Sequence, residues 1–136
     1  MKAGDVFYFI KFKFDDGSTQ NKLLIILNTP QNDEPYLVCL TTSQHKKWRK
    51  KELGCHAEAN YYFVDANQDN FDADTWIVFE KVYTLDVARL LNSCFKDGSY
   101  TLFELDSTLW KALKNCIAKS KDIEQDYLEL ILRDKT

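Results

Sequence analysis

The chain has 136 residues, of which 45% are hydrophobic and 29% charged, a balance typical of one globular domain that excludes disorder over the whole chain. The formal net charge of −3 does not by itself predict a polyanionic partner. No apolar run approaches the roughly 20 residues of a membrane span, and no signal-peptide core follows the start, so we expect a cytoplasmic protein without membrane contact.

Short β-strands are predicted for most of the first hundred residues. Residues 6–14 alternate in hydrophobicity, which predicts a first strand. One face of this strand would carry Tyr8, Ile10, Phe12 and Phe14. A turn signal follows at residues 15–18, and the aliphatic run at residues 22–27 is typical of a strand that is buried on both faces.

Further strands are predicted at residues 36–41, 61–64 and 75–84. A polar loop, 29–35, precedes the first of these, and an acidic loop, 65–74, precedes the last. Short strands at close spacing favour a small barrel or sandwich over an alternating βαβ sheet. The acidic loop lacks the central Gly and terminal Glu of an EF-hand, so we interpret it as a solvated loop.

Helices are predicted towards the C-terminus. Asp106 or Ser107 can cap a first helix, and Asp122, three residues before Gln125, resembles a capping-box start for a second. A shorter helix is expected near residues 84–91. The predicted fold is therefore mainly β or α+β.

We expect a single domain over residues 1–136. Residues 1–105 would form a compact β-barrel, and residues 107–133 would form the C-terminal helices.

The chain contains no CxxC pair among its four cysteines, which are Cys39, Cys55, Cys94 and Cys116. Because a core of this size needs no covalent cross-links, we expect all four to be reduced thiols. Cys39 and Cys116 lie on apolar faces and are expected to be buried. Cys55 and His56 are adjacent possible ligands, but a zinc site needs about four ligands, so we expect no metal.

Most enzyme templates are absent: the sequence has no GxGxxG, P-loop, HExxH or GxSxG motif. Charge is unevenly distributed, since residues 1–51 carry nine Lys/Arg against five Asp/Glu, and residues 52–106 carry three against eleven. Such asymmetry indicates a basic face and an acidic face.

The basic surplus is concentrated in what we call the basic loop, which consists of Lys46, Lys47, Trp48, Arg49, Lys50 and Lys51. Cations attract phosphates and an exposed aromatic ring can stack on a base, so this composition is typical of a single-strand nucleic-acid contact. The residues alone leave a second interpretation open, in which Trp48 packs into the core and the lysines only solvate a loop.

Five segments, taken in order across about residues 4–91, resemble the PemK/MazF family of toxin ribonucleases. They are Gly4-Asp5-Val6, Phe14-Asp15-Asp16-Gly17-Ser18, Lys22-Leu23-Leu24-Ile25-Ile26-Leu27-Asn28, Leu40-Thr41-Thr42-Ser43-Gln44, and the stretch from Asp74-Thr75-Trp76-Ile77 to Leu85-Asp86-Val87-Ala88-Arg89-Leu90.

The resemblance implies an SH3-like barrel with helices, usually a homodimer, and the toxin of a toxin–antitoxin pair. The implied activity is metal-independent cleavage of single-stranded RNA, in which a ribose hydroxyl attacks its own phosphate. No cofactor is implied, and a separate antitoxin-like protein is the expected partner.

The resemblance also implies the site residues. Thr42 and Gln44 match the Thr and Gln of the family, but its arginine at the start of the second strand is missing, and Asn21 or Lys22 takes that place. Lysine is a point charge without the planar fork of arginine. The expected catalytic residues are Lys22, Thr42 and Gln44. The expected RNA-binding residues are Asn21 and those of the basic loop.

Three possibilities remain open at the level of sequence. In the first, Lys22 replaces the missing arginine and stabilises the charge on the phosphate that is cleaved. In the second, Lys46, Lys47 or Arg49 contacts that phosphate instead. Otherwise the barrel is catalytically inactive and binds nucleic acid or protein, with the acidic residues 52–106 receiving a basic partner.

Overall fold

The structure is a computed structural model, and it describes residues 1–133. One antiparallel sheet contains seven strands: β1 (Asp5–Lys13), β2 (Thr19–Ile26), β3 (Tyr36–Thr42), β4 (Gly54–His56), β5 (Tyr61–Val64), β6 (Thr75–Leu85) and β7 (Tyr100–Glu104). The helices are α1 (Val87–Asp97), α2 (Ser107–Lys119) and α3 (Gln125–Arg133). No helix in residues 1–133 has both the length and the apolar character that crossing a bilayer requires.

The strands lie in the order β4-β5-β6-β3-β2-β1-β7. This architecture confirms the mixed α+β class, with strands followed by C-terminal helices. Within the described residues no hydrogen-bonded pairing joins β4 to β7, so the sheet is open and the predicted closure into a barrel is not seen.

Hydrophobic residues are buried on both faces of the sheet. Ile25 belongs to a cluster that includes α2 and α3 side chains such as Trp110 and Ile131. Its neighbours Leu24 and Ile26 belong to a second cluster, which Leu90 of α1 completes. Because successive strand residues point to opposite faces, the aliphatic run in β2 supplies both clusters, as its sequence predicted.

A β-bulge in β1 overturns the predicted face of that strand. The pairing of β1 with β2 shifts between Phe9 and Phe12, and Lys11 takes a positive φ of 62°. The extra residue changes which side chains share a face. Phe7 and Phe9 are therefore buried together with Phe12, while Tyr8 is only partly buried.

The helix boundaries partly differ from those predicted. Thr84 and Leu85 belong to β6, and α1 begins at Val87 because the Asp86 side chain caps it by accepting from Arg89 N. The short helix expected near residues 84–91 thus runs on to Asp97. Asp106 caps α2 as predicted. The 3₁₀ turn at Ala57–Ala59 and the edge strands β4 and β7 were not predicted.

The expectation of four reduced thiols is wrong for two of them. Cys55 in β4 and Cys116 in α2 form a disulfide that joins positions 61 residues apart. Cys39 is a free thiol, and burial raises its pKa to about 12. The pairing depends on α2 packing across β4, which no local spacing in the sequence reveals.

Candidate functional site

The start of β2 and the end of β3 are neighbours because the two strands are antiparallel. Their register pairs Leu24 with Leu40, and continuing it by two residues puts Lys22 opposite Thr42. Opposite residues of an antiparallel pair project from the same face of the sheet. This register brings Lys22 and Thr42 side by side.

A groove of about 420 Å³ opens at this point, and we call it the β2–β3 groove. The lining residues that matter here are Asn21, Lys22, Thr42, Ser43, Gln44 and Asp72. The structure therefore places all three expected catalytic residues, and the flanking Asn21, in one open cleft.

Lys22 is partly buried, and none of the ion pairs of the described chain involves its ammonium. Thr42 Oγ1 accepts a hydrogen bond from Gln44 N at 3.1 Å, which leaves its hydroxyl proton available to an acceptor in the groove. The neighbouring Thr41 hydroxyl is already used, because it donates to Leu23 O at 2.8 Å. A charge and a hydroxyl donor are therefore free at adjacent positions.

Asn21 has a structural task besides lining the groove. Its Oδ1 accepts a hydrogen bond from Lys11 N at 3.1 Å, at the β1 bulge where the ladder is interrupted. Its Nδ2 group and the second lone pair of Oδ1 remain available to a ligand. Asn21 thus holds the groove wall in place.

The basic loop lies next to the groove but does not line it. Its indole, Trp48, is 63% exposed, and the Arg49 guanidinium lies 4.4 Å from the ring centroid. The interpretation in which Trp48 packs into the core is therefore wrong. Trp76 and Trp110 are buried instead, and Trp76 stacks on His45 with 5.5 Å between ring centroids.

Two cations of the basic loop are engaged within the protein. Arg49 Nη1 donates to Gln44 O at 3.2 Å, and Lys51 Nζ lies 3.5 Å from Asp74 Oδ2. Lys46, Lys47 and Lys50 take part in none of the ion pairs of residues 1–133. They are the cations of this loop that are available to a ligand.

The C-terminal part of the loop is fixed by hydrogen bonds to the sheet. Lys50 N donates to the Tyr61 hydroxyl at 2.8 Å, and Trp76 Nε1 donates to Lys50 O at 3.1 Å. The exposed lysines therefore extend from a backbone of defined position.

The sequence interpretation missed Asp72, which enters the groove from the acidic loop between β5 and β6. The loop turns inwards because Phe71 is buried, with its ring edge-on to Phe103 at 5.1 Å between centroids. The lone aromatic in a polar segment was the available signal. In residues 1–133 no three His, Cys, Asp or Glu side chains come together as metal ligands would.

No protein-family model matches this chain, and no curated protein matches it.

Proposed function

We propose that this protein is a metal-independent endoribonuclease, similar to PemK/MazF toxins, that cleaves single-stranded RNA in the β2–β3 groove. The observation that supports this most directly is that Lys22 and Thr42 line the same open groove. A cleaved phosphodiester gains negative charge on its non-bridging oxygens, and fixed cations and hydrogen-bond donors lower the energy of that state.

The residues divide the work in the proposed reaction. The Lys22 ammonium neutralises the phosphate and gives a proton to the leaving oxygen, and the Thr42 hydroxyl donates to a non-bridging oxygen. Gln44 holds the adjoining nucleotide by hydrogen bonds. The exposed lysines of the basic loop attract the flanking phosphates, and a base stacks on Trp48.

The wider proposal follows the same resemblance. It includes an SH3-like barrel as the scaffold, a homodimer, and a separate antitoxin-like protein that restrains the activity. It also includes a cytoplasmic location, against which the Cys55–Cys116 disulfide argues, because persistent disulfides are rare in reducing compartments.

The test is cleavage of a mixed single-stranded RNA pool by the purified protein in the presence of a chelator. We expect Lys22→Ala and Thr42→Ala to lower the rate about 100-fold or more, since each removes a group that stabilises the transition state. Lys22→Arg should keep the affinity for RNA but still lower the rate, because a guanidinium can bind two phosphate oxygens yet does not give a proton to the leaving oxygen.

Lys13→Ala is the matched control, because Lys13 is an exposed β1 lysine outside the groove lining. Cleavage that is absent in the wild-type protein, or equal in the Lys22 and Lys13 variants, would contradict the proposal.

A second candidate is a catalytically inactive relative that binds nucleic acid. The missing arginine and the exposed Trp48 favour it, because binding needs only cations and a stacking surface. RNA binding by the wild-type protein without cleavage would select this function over the first. A protein-binding module would instead retain a protein partner after nuclease treatment.

A further inference from the structure

Of the residues that line the β2–β3 groove in the described chain, only Asp72 is acidic. The proposed ribonuclease activity leaves it without a role, although transfer of a phosphoryl group from a ribose needs an acceptor for the hydroxyl proton. Asp72 shares the groove with Lys22, which carries the opposite charge.

Two other acidic residues of the same loop, Asp74 and Asp69, make contacts within the fold. Asp74 accepts from Ala66 N at 2.8 Å and lies beside Lys51. Asp69 Oδ2 accepts from Asp106 N at 2.9 Å. Asp72 is exposed, and it makes no hydrogen bond and no ion pair with any described residue.

The backbone on both sides of Asp72 is fixed. On its N-terminal side, the Phe71 side chain is buried. On its C-terminal side, Ala73 O accepts a hydrogen bond from the Thr75 hydroxyl at 2.9 Å. A carboxylate on a fixed backbone and an unpaired ammonium therefore share one cleft. Among the described residues the two groups form no ion pair with each other, so both charges are available to a ligand in the groove.

We propose that Asp72 is the general base of this groove, an inference that rests on the ribonuclease activity proposed above. Its carboxylate takes the proton of the ribose 2′-hydroxyl as the 2′-oxygen forms a bond to phosphorus. The bond from phosphorus to the 5′-oxygen breaks, and that oxygen takes a proton from the Lys22 ammonium. The products are a 2′,3′-cyclic phosphate and a 5′-hydroxyl, so atoms and charge balance.

Asp72→Asn tests this role through two measurements, of which cleavage should fall and binding should not. We expect cleavage to fall about 100-fold or more, the lower range of a general-base contribution. We expect binding of an RNA that carries a 2′-deoxy sugar at the cleavage site to stay the same or tighten, since a negative charge beside the phosphate has been removed. A variant that was merely unfolded would lose both.

Asp65→Asn is the charge-matched control. Asp65 is exposed on the same loop but does not line the groove, so this variant should cleave like the wild-type protein.

A substrate with sulfur in place of the 5′-bridging oxygen separates the proton acceptor from the proton donor. A thiolate leaves without being protonated, so this substrate should restore much of the cleavage lost in Lys22→Ala. It should restore none of the cleavage lost in Asp72→Asn, because the 2′-hydroxyl still needs a base.

The outcomes distinguish the two proposals. Cleavage by the wild-type protein together with equal cleavage by Asp72→Asn would overturn the role of Asp72 and leave the ribonuclease proposal standing. Restoration of Asp72→Asn by the sulfur substrate would overturn it as well. An inactive wild-type protein would overturn both proposals.

Discussion

At the scale of single residues, Glu34 shows how the fold changes an ionisation equilibrium. Both its carboxylate oxygens accept from the Arg133 guanidinium, each at 2.8 Å, and Gln31 N donates to it at 2.9 Å. The hydrogen bonds from Arg133 are the main cause that lowers the pKa of Glu34 from 4.5 to about 2. The pair joins the end of α3 to the loop before β3.

This pair predicts a pH-dependent contribution to stability. Because the folded-state pKa lies below the unfolded one, the contribution is complete above about pH 4.5 and is lost as the pH falls towards 2. Glu34→Gln should therefore lower the thermal midpoint at pH 7 by a small amount, and the difference from wild type should vanish near pH 2. Asp33→Asn, at an exposed neighbouring position, is the control. A difference that persists at pH 2 would contradict this account.

At the scale of elements, the basic loop combines a fixed backbone with free charges. It runs from the end of β3 to β4, and its hydrogen bonds to Tyr61 and Trp76 hold it against the sheet. Lys46, Lys47 and Lys50 extend from it without internal ion pairs in the described structure. The loop is therefore a preorganised, positively charged surface that a polyanion can bind.

Replacing these three lysines with alanine should weaken RNA binding and reduce its dependence on salt. Each contact between a cation and a single-strand phosphate contributes about 0.7 to the slope of log affinity against log salt, so the slope should fall by about 2. Titrations at several salt concentrations measure it. A matched control replaces three exposed lysines of the C-terminal region, which are Lys111, Lys119 and Lys121. An unchanged slope in the loop variant would exclude the loop from the RNA interface.

At the scale of the whole molecule, the disulfide joins an edge of the sheet to a helix that covers it. Strand β4 has only three residues and, within residues 1–133, pairs with β5 and no other strand, so the bond from Cys55 to Cys116 in α2 adds a second constraint on its position. Closing a loop of 61 residues in the unfolded chain removes conformational entropy worth about 4 kcal/mol.

Reduction should therefore lower the thermal midpoint of the protein by about 10 °C or more. Thermal unfolding with and without a dithiol reductant measures this shift. The double variant Cys55→Ser, Cys116→Ser should unfold at the lower temperature under both conditions. Identical midpoints for the oxidised and reduced wild-type protein would show that the bond is not present in solution.

Elements with local signals could be predicted from the amino-acid sequence. The aliphatic run of β2, the acidic loop with its single Phe71, and the cap at Asp106 are visible within a few residues, because period and capping are short-range properties. The resemblance in motif singled out Lys22, Thr42 and Gln44 individually, but their presence in one groove depends on the pairing of β2 with β3.

Features that depend on contacts between residues distant along the chain became visible only in the three-dimensional fold. The bulge at Lys11 changes which face of β1 is buried, and the exposed Trp48 was indistinguishable in sequence from a core residue. Cys55 and Cys116 meet, and Asp72 reaches the groove, because helix and loop packing bring together segments far apart in sequence. The spacing of residues in the sequence does not predict these long-range contacts, because they depend on how the hydrophobic faces of all the strands and helices pack together.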